Sequence, residues 1–76
     1  MKKILISGGA GYLGTFMAQE LLKSYEVLIY DKFYFPWILK NKKKIKNHKN
    51  LNFINKDISE ASIKDFENID IVCDLN

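Results

Sequence analysis

The whole glycine content of this chain falls in one turn. Four glycines occur among 76 residues, and all four stand in the stretch SGGAGYLG at positions 7 to 14. Glycine adopts backbone conformations closed to other residues and lets a neighbouring backbone approach closely. A chain that gathers it between an apolar run and a helical pattern is constrained to a tight strand-to-helix turn.

The flanking residues supply both elements. Residues 3 to 6, KILI, form a short continuous apolar run, which suits a parallel strand buried on both faces. After the glycines, YLGTFMAQELLKSY places Leu13, Met17 and Leu21 at i, i+4 and i+8, with Phe16 beside them. Gln19, Glu20 and Lys23 are left for solvent, so the pattern predicts an amphipathic helix of about three turns with its Leu13/Met17/Leu21 stripe inward. EVLIYD at 26–31 and LNFIN at 51–55 read as further strands, and IDIVCDL at 69–75 as a fourth. SEASIKDFEN reads as a short helix with Ser59 as N-cap. Between Lys32 and Asn50 the sequence predicts a loop, then a helix opening near Pro36, since proline suits a first turn. The order β-α-β-(α)-β-α-β predicts the α/β class, a partial Rossmann fold with a parallel sheet of about four strands and flanking helices. A fourth strand so close to the last residue implies a sheet that continues in a longer parent.

A domain of this size buries roughly 60% of its unfolded surface, and 47% hydrophobic residues suit a globular chain. The single cysteine, Cys73, lies in an apolar run and reads as a buried strand residue. The opening MKKILIS is too short in apolar residues for a signal-peptide core, and no stretch approaches the ~20 residues that span a bilayer. The expectation is a cytoplasmic chain with no membrane partner. All twelve basic residues are lysine, and six lie between Lys40 and Lys49. Without arginine or interleaved aromatics the run reads as solvated surface, and so does its lone His48; no nucleic-acid partner is expected.

The position of the glycines carries chemistry. They follow the first strand and open the first helix, where dinucleotide-binding folds set their phosphate loop. Two registers fit: Gly9, Gly11 and Gly14, or Gly8, Gly11 and Gly14. In either, the first glycine turns the chain out of the strand, Gly11 lets backbone approach a diphosphate, and Gly14 lets the helix pack closely. An acid closing the second strand, about 20 positions on, completes such a site. Asp31 stands there and would accept hydrogen bonds from the adenosine ribose. It would repel a 2′-phosphate, which favours NAD over NADP, and the neighbouring Lys32 weakens that preference. A phosphate loop of the Gly-Lys-Ser/Thr kind is excluded, because no such triplet follows.

These stretches resemble a known family. ILISGGAGYLG is similar to the opening of the extended short-chain dehydrogenases, the NAD-dependent epimerase/dehydratase group, with Ser7 in place of the usual threonine. VLIYD resembles the family's ribose-binding strand, and NLNFINKDIS its third strand, whose Asp-Ile pair beside adenine carries over to Asp57 and Ile58. IDIVCDLN resembles its fourth strand. The chain departs from the pattern at Lys56, where the family has glycine, and at Asp74 and Asn76, which replace a histidine and an alanine. The resemblance implies NAD as cofactor, held by Gly8, Gly11, Tyr12, Leu13, Gly14, Asp31, Lys32, Asp57 and Ile58. It implies a nucleotide sugar as substrate of a full-length form, and homodimers among full-length relatives. The family's catalytic Ser/Thr and Tyr-x-x-x-Lys lie downstream of a fourth strand. Four places after Tyr12, Tyr25, Tyr30 and Tyr34 stand Phe16, Ile29, Tyr34 and Ile38, never lysine, so neither catalytic nor metal residues are expected. The sequence thus reads as the cofactor-binding N-terminal half of an NAD(P)-binding Rossmann domain over 1–76, from an epimerase or dehydratase. A non-catalytic dinucleotide-binding or regulatory module is the alternative.

Overall fold

The computed structural model describes residues 1–9, 11–32 and 48–75. Strand β1 (Lys3–Ser7) leads through the glycine turn into helix α1 (Tyr12–Leu21) and strand β2 (Glu26–Asp31). Strand β3 (Leu51–Asn55) is followed by two 3₁₀ turns, Ile58–Glu60 and Ile63–Phe66, and by strand β4 (Ile71–Asp74). The strands form one parallel sheet in the order β3-β2-β1-β4. Its register pairs Ser7 with both Tyr30 and Asp74, and Asp31 with Asn55. The α/β reading and the parallel sheet therefore hold. The expected helix near Pro36 and most of the lysine run lie at 33–47, outside the described residues. His48 and Lys49 are exposed, as the solvated reading requires.

Because side chains alternate along a strand, the sheet carries a core on each face. On one face Ile4, Ile6, Val27, Ile29 and Leu51 meet Ala18 and Leu22 of the α1 region. On the other, Leu5, Leu28 and Tyr30 are covered by Ile58, Ala61, Phe66 and Ile69 from the 3₁₀ segment. Burying each large aliphatic side chain contributes about 1.5–3 kcal/mol. Only β1 and β2 are buried throughout their middles. The outer strands β3 and β4, by contrast, are largely exposed or half-buried. Among the described residues they occupy the outer positions of the sheet, each with a strand on one side. Cys73, expected buried, is half-buried for this reason.

The helix is present, but its start buries other residues than expected. Gly14, Thr15 and Ala18 are its buried residues, and Leu22 just beyond it is buried too. Leu13 and Phe16 are exposed, at 58% and 62%. Small side chains face the sheet at the helix start because Gly14 sits directly on the Gly9 backbone; of the expected stripe, Met17 is half-buried and Leu21 packs against the core, so the expectation fails at Leu13.

SEASIKDFEN does not form one helix. Its first 3₁₀ turn is capped by Asp57, not Ser59: the Ser59 N–H donates to Asp57 Oδ1 at 2.9 Å. The chain then extends through Ala61 and Ser62 before the second turn. Asp65 explains the break, because one of its oxygens gathers three donors. The Ser62 N–H reaches Oδ2 at 3.0 Å, the Tyr30 hydroxyl at 2.9 Å and Lys56 Nζ at 2.9 Å. A continuous helix would carry Asp65 away from the nearly fully buried Tyr30. Asn68, with φ of 63°, ends the segment in the left-handed region.

Two outcomes follow from this packing. Ala18→Leu overfills the helix–sheet contact and costs about 1–3 kcal/mol, whereas Phe16→Gln on the exposed face changes stability by less than about 0.5 kcal/mol; urea unfolding compares them. The Asp65 network gives stability a pH window. The Ser62 N–H, Lys56 and Tyr30 hold the Asp65 carboxyl down to about 2, so its contribution is full above 3.8 and lost as pH falls through about 2. Burial, and then the bond to Asp65, push Tyr30 up to about 12, so its contribution is full below 10.0 and lost as pH rises through about 12. Urea midpoints measured across pH therefore fall on both sides of a plateau. Asp65→Asn reduces the acid limb, of which Asp57 supplies another part, and Tyr30→Phe flattens the alkaline limb while costing about 1 kcal/mol at neutral pH.

Candidate functional site

In a parallel sheet every strand ends at the same edge, and the segments leaving that edge converge. Here they are the glycine turn after β1, Asp31 at the end of β2 with Lys32 after it, Lys56 to Ile58 after β3, and Asp74 at the end of β4.

The glycine turn is built by three different constraints. Gly8 has φ of 73°, the left-handed region that glycine enters without strain. Its N–H donates to the Tyr30 carbonyl at 2.8 Å, and its own carbonyl accepts from the Gly11 N–H at 3.3 Å. A Cβ on Gly9 would stand 2.8 Å from the Ile6 carbonyl oxygen, and one on Gly14 would stand 2.5 Å from the Gly9 backbone. These two glycines meet each other, so Gly14 packs on the turn itself rather than on the strand. Gly11 differs. A Cβ there would meet only the Gly8 carbonyl oxygen, at an ordinary 3.5 Å. Its φ of −70° suits any residue, so nothing in the described fold requires glycine at this position.

Gly11 is also the N-cap of α1, and no side chain caps this helix end or places an acid in its first turn. The first-turn N–H groups of a helix lack intrahelical acceptors, and the helix dipole adds positive charge there. Those groups belong to Tyr12, Leu13 and Gly14. The Tyr12 and Leu13 side chains are largely exposed.

At the end of β2 the charged residues are held by one another. Asp31 is half-buried, and its backbone carbonyl accepts from the Lys56 N–H at 3.0 Å, which locks the ends of β2 and β3 together. Lys32 Nζ lies 3.0 Å from Asp57 Oδ2. With the Ser59 N–H on its other oxygen, Asp57 is anchored twice, and these two contacts hold its carboxyl down to about 2. Ile58 turns inward and packs against the Leu5/Leu28/Tyr30 core. At the end of β4, the buried Ser7 hydroxyl donates to Asp74 Oδ1 at 2.7 Å, and the Leu75 N–H reaches the Ser7 carbonyl at 2.9 Å.

The structure thus brings Gly8, Gly11, Tyr12, Leu13, Gly14, Asp31, Lys32, Asp57 and Ile58 to one edge of the sheet. Sequence reasoning missed the pairings. Ser7 and Lys56 were visible only as departures from a family pattern, yet Ser7 ties β1 to Asp74 and Lys56 anchors Asp65. Among the described residues, no group of three or more His, Cys, Asp or Glu could hold a metal ion. Nor is any helix among them long and apolar enough to cross a membrane.

The glycine roles separate by substitution. Gly14→Ala drives a methyl into Gly9 and costs about 1–3 kcal/mol or more, whereas Gly11→Ala costs less than about 1 kcal/mol, the difference between these residues at an N-cap. Thermal melting of the two variants checks the order.

No family model matches the chain. Human dTDP-D-glucose 4,6-dehydratase is 33% identical over 78 residues, covering 93% of this chain and 22% of that protein. A trifunctional UDP-glucose 4,6-dehydratase/epimerase/reductase of Arabidopsis thaliana is 32% identical over 68 residues, covering 86% of this chain and 10% of its own length. UDP-glucuronic acid 4-epimerase from Bacillus cereus, solved with NAD, superposes at a TM-score of 0.87 and 32% identity. The match covers 96% of this chain and 26% of that one, and the same epimerase is solved with UDP-glucuronic acid and NAD together. dTDP-glucose 4,6-dehydratase from Bacillus anthracis, at a TM-score of 0.86 and 23% identity, shares the fold. The chain spans between 10% and 27% of the length of these proteins. Sequence and fold together match the chain to the N-terminal portion of NAD-dependent nucleotide-sugar epimerases and dehydratases, in line with its resemblance to the extended short-chain dehydrogenases.

Proposed function

We propose that residues 1–76 are the N-terminal half of a Rossmann domain and bind NAD, in a protein that epimerises or dehydrates a nucleotide sugar. The observation that carries this reading is Gly11. It is a glycine that the described packing does not need, at the uncapped start of α1, on the sheet edge that also holds Asp31. Space above a missing side chain, beside N–H groups at the positive end of a helix, suits a diphosphate.

Each residue then has a physical task. Gly8 turns the backbone out of β1, and the contact between Gly9 and Gly14 fixes the helix start over the sheet edge. The Tyr12 and Leu13 N–H groups face the diphosphate. The Asp31 carboxylate accepts from the ribose hydroxyls, and Asp57 and Ile58 flank the adenine. NAD, when bound in such enzymes, accepts a hydride from the sugar and returns it. This chain's part is to bind and orient. A Tyr-x-x-x-Lys set is not among residues 1–76, so sugar chemistry is assigned to other residues of the full-length protein.

Calorimetry with NAD tests the reading. The protein binds NAD, and Gly11→Val weakens binding by more than about tenfold, as filling a close-approach site should, while melting within a few degrees of the wild type. Asp31→Ala weakens NAD and narrows its advantage over NADP. No heat and no thermal shift at millimolar NAD would overturn it.

A further inference from the structure

Asp57 has a second consequence, and it rests on the NAD reading. Lys32 directly follows Asp31, the residue assigned to the adenosine ribose. A lysine ammonium at that point of a dinucleotide site is a ready partner for a 2′-phosphate, because ammonium groups bind phosphate as point charges. On sequence alone Lys32 therefore works against Asp31. The structure gives the ammonium another acceptor: Asp57 Oδ2, at 3.0 Å.

Asp57 is well built for this. Its Oδ1 is fixed by the Ser59 N–H at 2.9 Å, and the next residue, Ile58, is half-buried against the core. The carboxylate is thus held by backbone and core contacts before Lys32 reaches it. Its position is also set relative to Asp31, because the Lys56 N–H bonds the Asp31 carbonyl at the junction of β2 and β3. Both partners are about one-third exposed, at 32% and 34%, so the pair is partly shielded from water.

We infer that Asp57 is a positioning residue for cofactor choice: by holding the Lys32 ammonium it keeps that charge from a 2′-phosphate and preserves the NAD preference set by Asp31. This role is separate from any contact of Asp57 with adenine. Adenine is common to both dinucleotides, so an adenine contact changes the two affinities together and cancels in their ratio.

The test measures dissociation constants for NAD and NADP by calorimetry on the wild-type protein, Asp57→Asn, Lys32→Met and the double variant. Asparagine can still accept from the Ser59 N–H, so the turn is kept; Asp57→Ser serves as a second neutral variant, with melting curves for each. Asp57→Asn should raise affinity for NADP relative to NAD by about twofold to fivefold, the range a partly exposed ion pair can supply. Lys32→Met in the Asp57→Asn background should remove that gain. A ratio unchanged in Asp57→Asn overturns the inference. A gain that persists in the double variant also overturns it, because the effect would then be simple repulsion between Asp57 and the phosphate. Should both Asp57 variants fail to fold, Lys32→Met alone decides. A fall of more than about fivefold in relative NADP affinity would mean that Lys32 already reads the phosphate, which overturns the inference; a smaller change supports it. A wild-type protein that binds neither dinucleotide overturns the NAD reading and the inference with it. One that binds NAD while the ratio fails to move overturns the inference alone.

Discussion

The contact between Gly14 and Gly9 is the constraint on which the rest of this structure turns. A Cβ at Gly14 would lie 2.5 Å from the Gly9 backbone, closer than any real side chain tolerates. The absence of that Cβ brings the first turn of α1 down onto the loop that leaves β1. Once the helix starts at that height, the residues facing the sheet in its first turns must be small, and Thr15 and Ala18 fill that space, while Leu21 and Leu22 reach the core at the far end. Leu13 and Phe16 are turned outward as a result. The same contact fixes where the helix dipole begins, directly after the turn that Gly8 and its bond to the Tyr30 carbonyl define.

Electrostatics at the sheet edge follow from the strand order. With β1 and β2 at the centre, Asp31 and Asp74 close strands at the edge where α1 begins, and Asp57 and Asp65 lie in the segment that follows β3. The chain supplies donors to these acids itself: Ser59 and Lys32 to Asp57, Ser7 to Asp74, and Ser62, Tyr30 and Lys56 to Asp65. A carboxylate satisfied locally competes less for the N–H groups of a helix terminus. Charges that look unfavourable for binding an anion in the sequence are, in the fold, largely matched by their own neighbours.

The central strands were legible because their signal is local. KILI and EVLIYD are apolar throughout, and a strand in the middle of a parallel sheet has no polar face to show. LNFIN and IVCD carry nearly the same signal, yet they lie at the outer positions; strand order depends on crossovers, which periodicity does not encode. The helix was legible as a helix, but not in the residues its start buries. The leucine and methionine stripe is the more hydrophobic one, and hydrophobicity predicts the buried face only where there is room for large side chains. The two 3₁₀ turns were hidden for a related reason. Asp65 breaks the helix through Tyr30, 35 positions away, and Lys56, nine away. The glycine turn and Asp31 were legible as a candidate site because their spacing is what dinucleotide chemistry would need, and the fold brings them to one sheet edge. The pairing of Lys32 with Asp57 was not, since it depends on β3 lying beside β2.

On the proposed NAD reading, the four glycines also separate what the fold requires from what a ligand would require. Gly8 is explained by its φ, and Gly9 and Gly14 by backbone atoms that leave no space for a methyl. These three would be needed in a chain that bound nothing. Gly11 fails both explanations among the described residues: its backbone conformation is ordinary, and a Cβ there would meet only the Gly8 carbonyl oxygen at an ordinary distance. A glycine forgoes backbone restriction in the unfolded state, so its presence without an internal steric reason has a conformational-entropy cost of about 0.5–1 kcal/mol. An N-cap preference accounts for only part of that, since serine, aspartate or asparagine would cap this helix better. Those side chains would bond the same first-turn N–H groups that an anion would use. What glycine secures at position 11, and no capping residue could, is a helix start left open to an external acceptor.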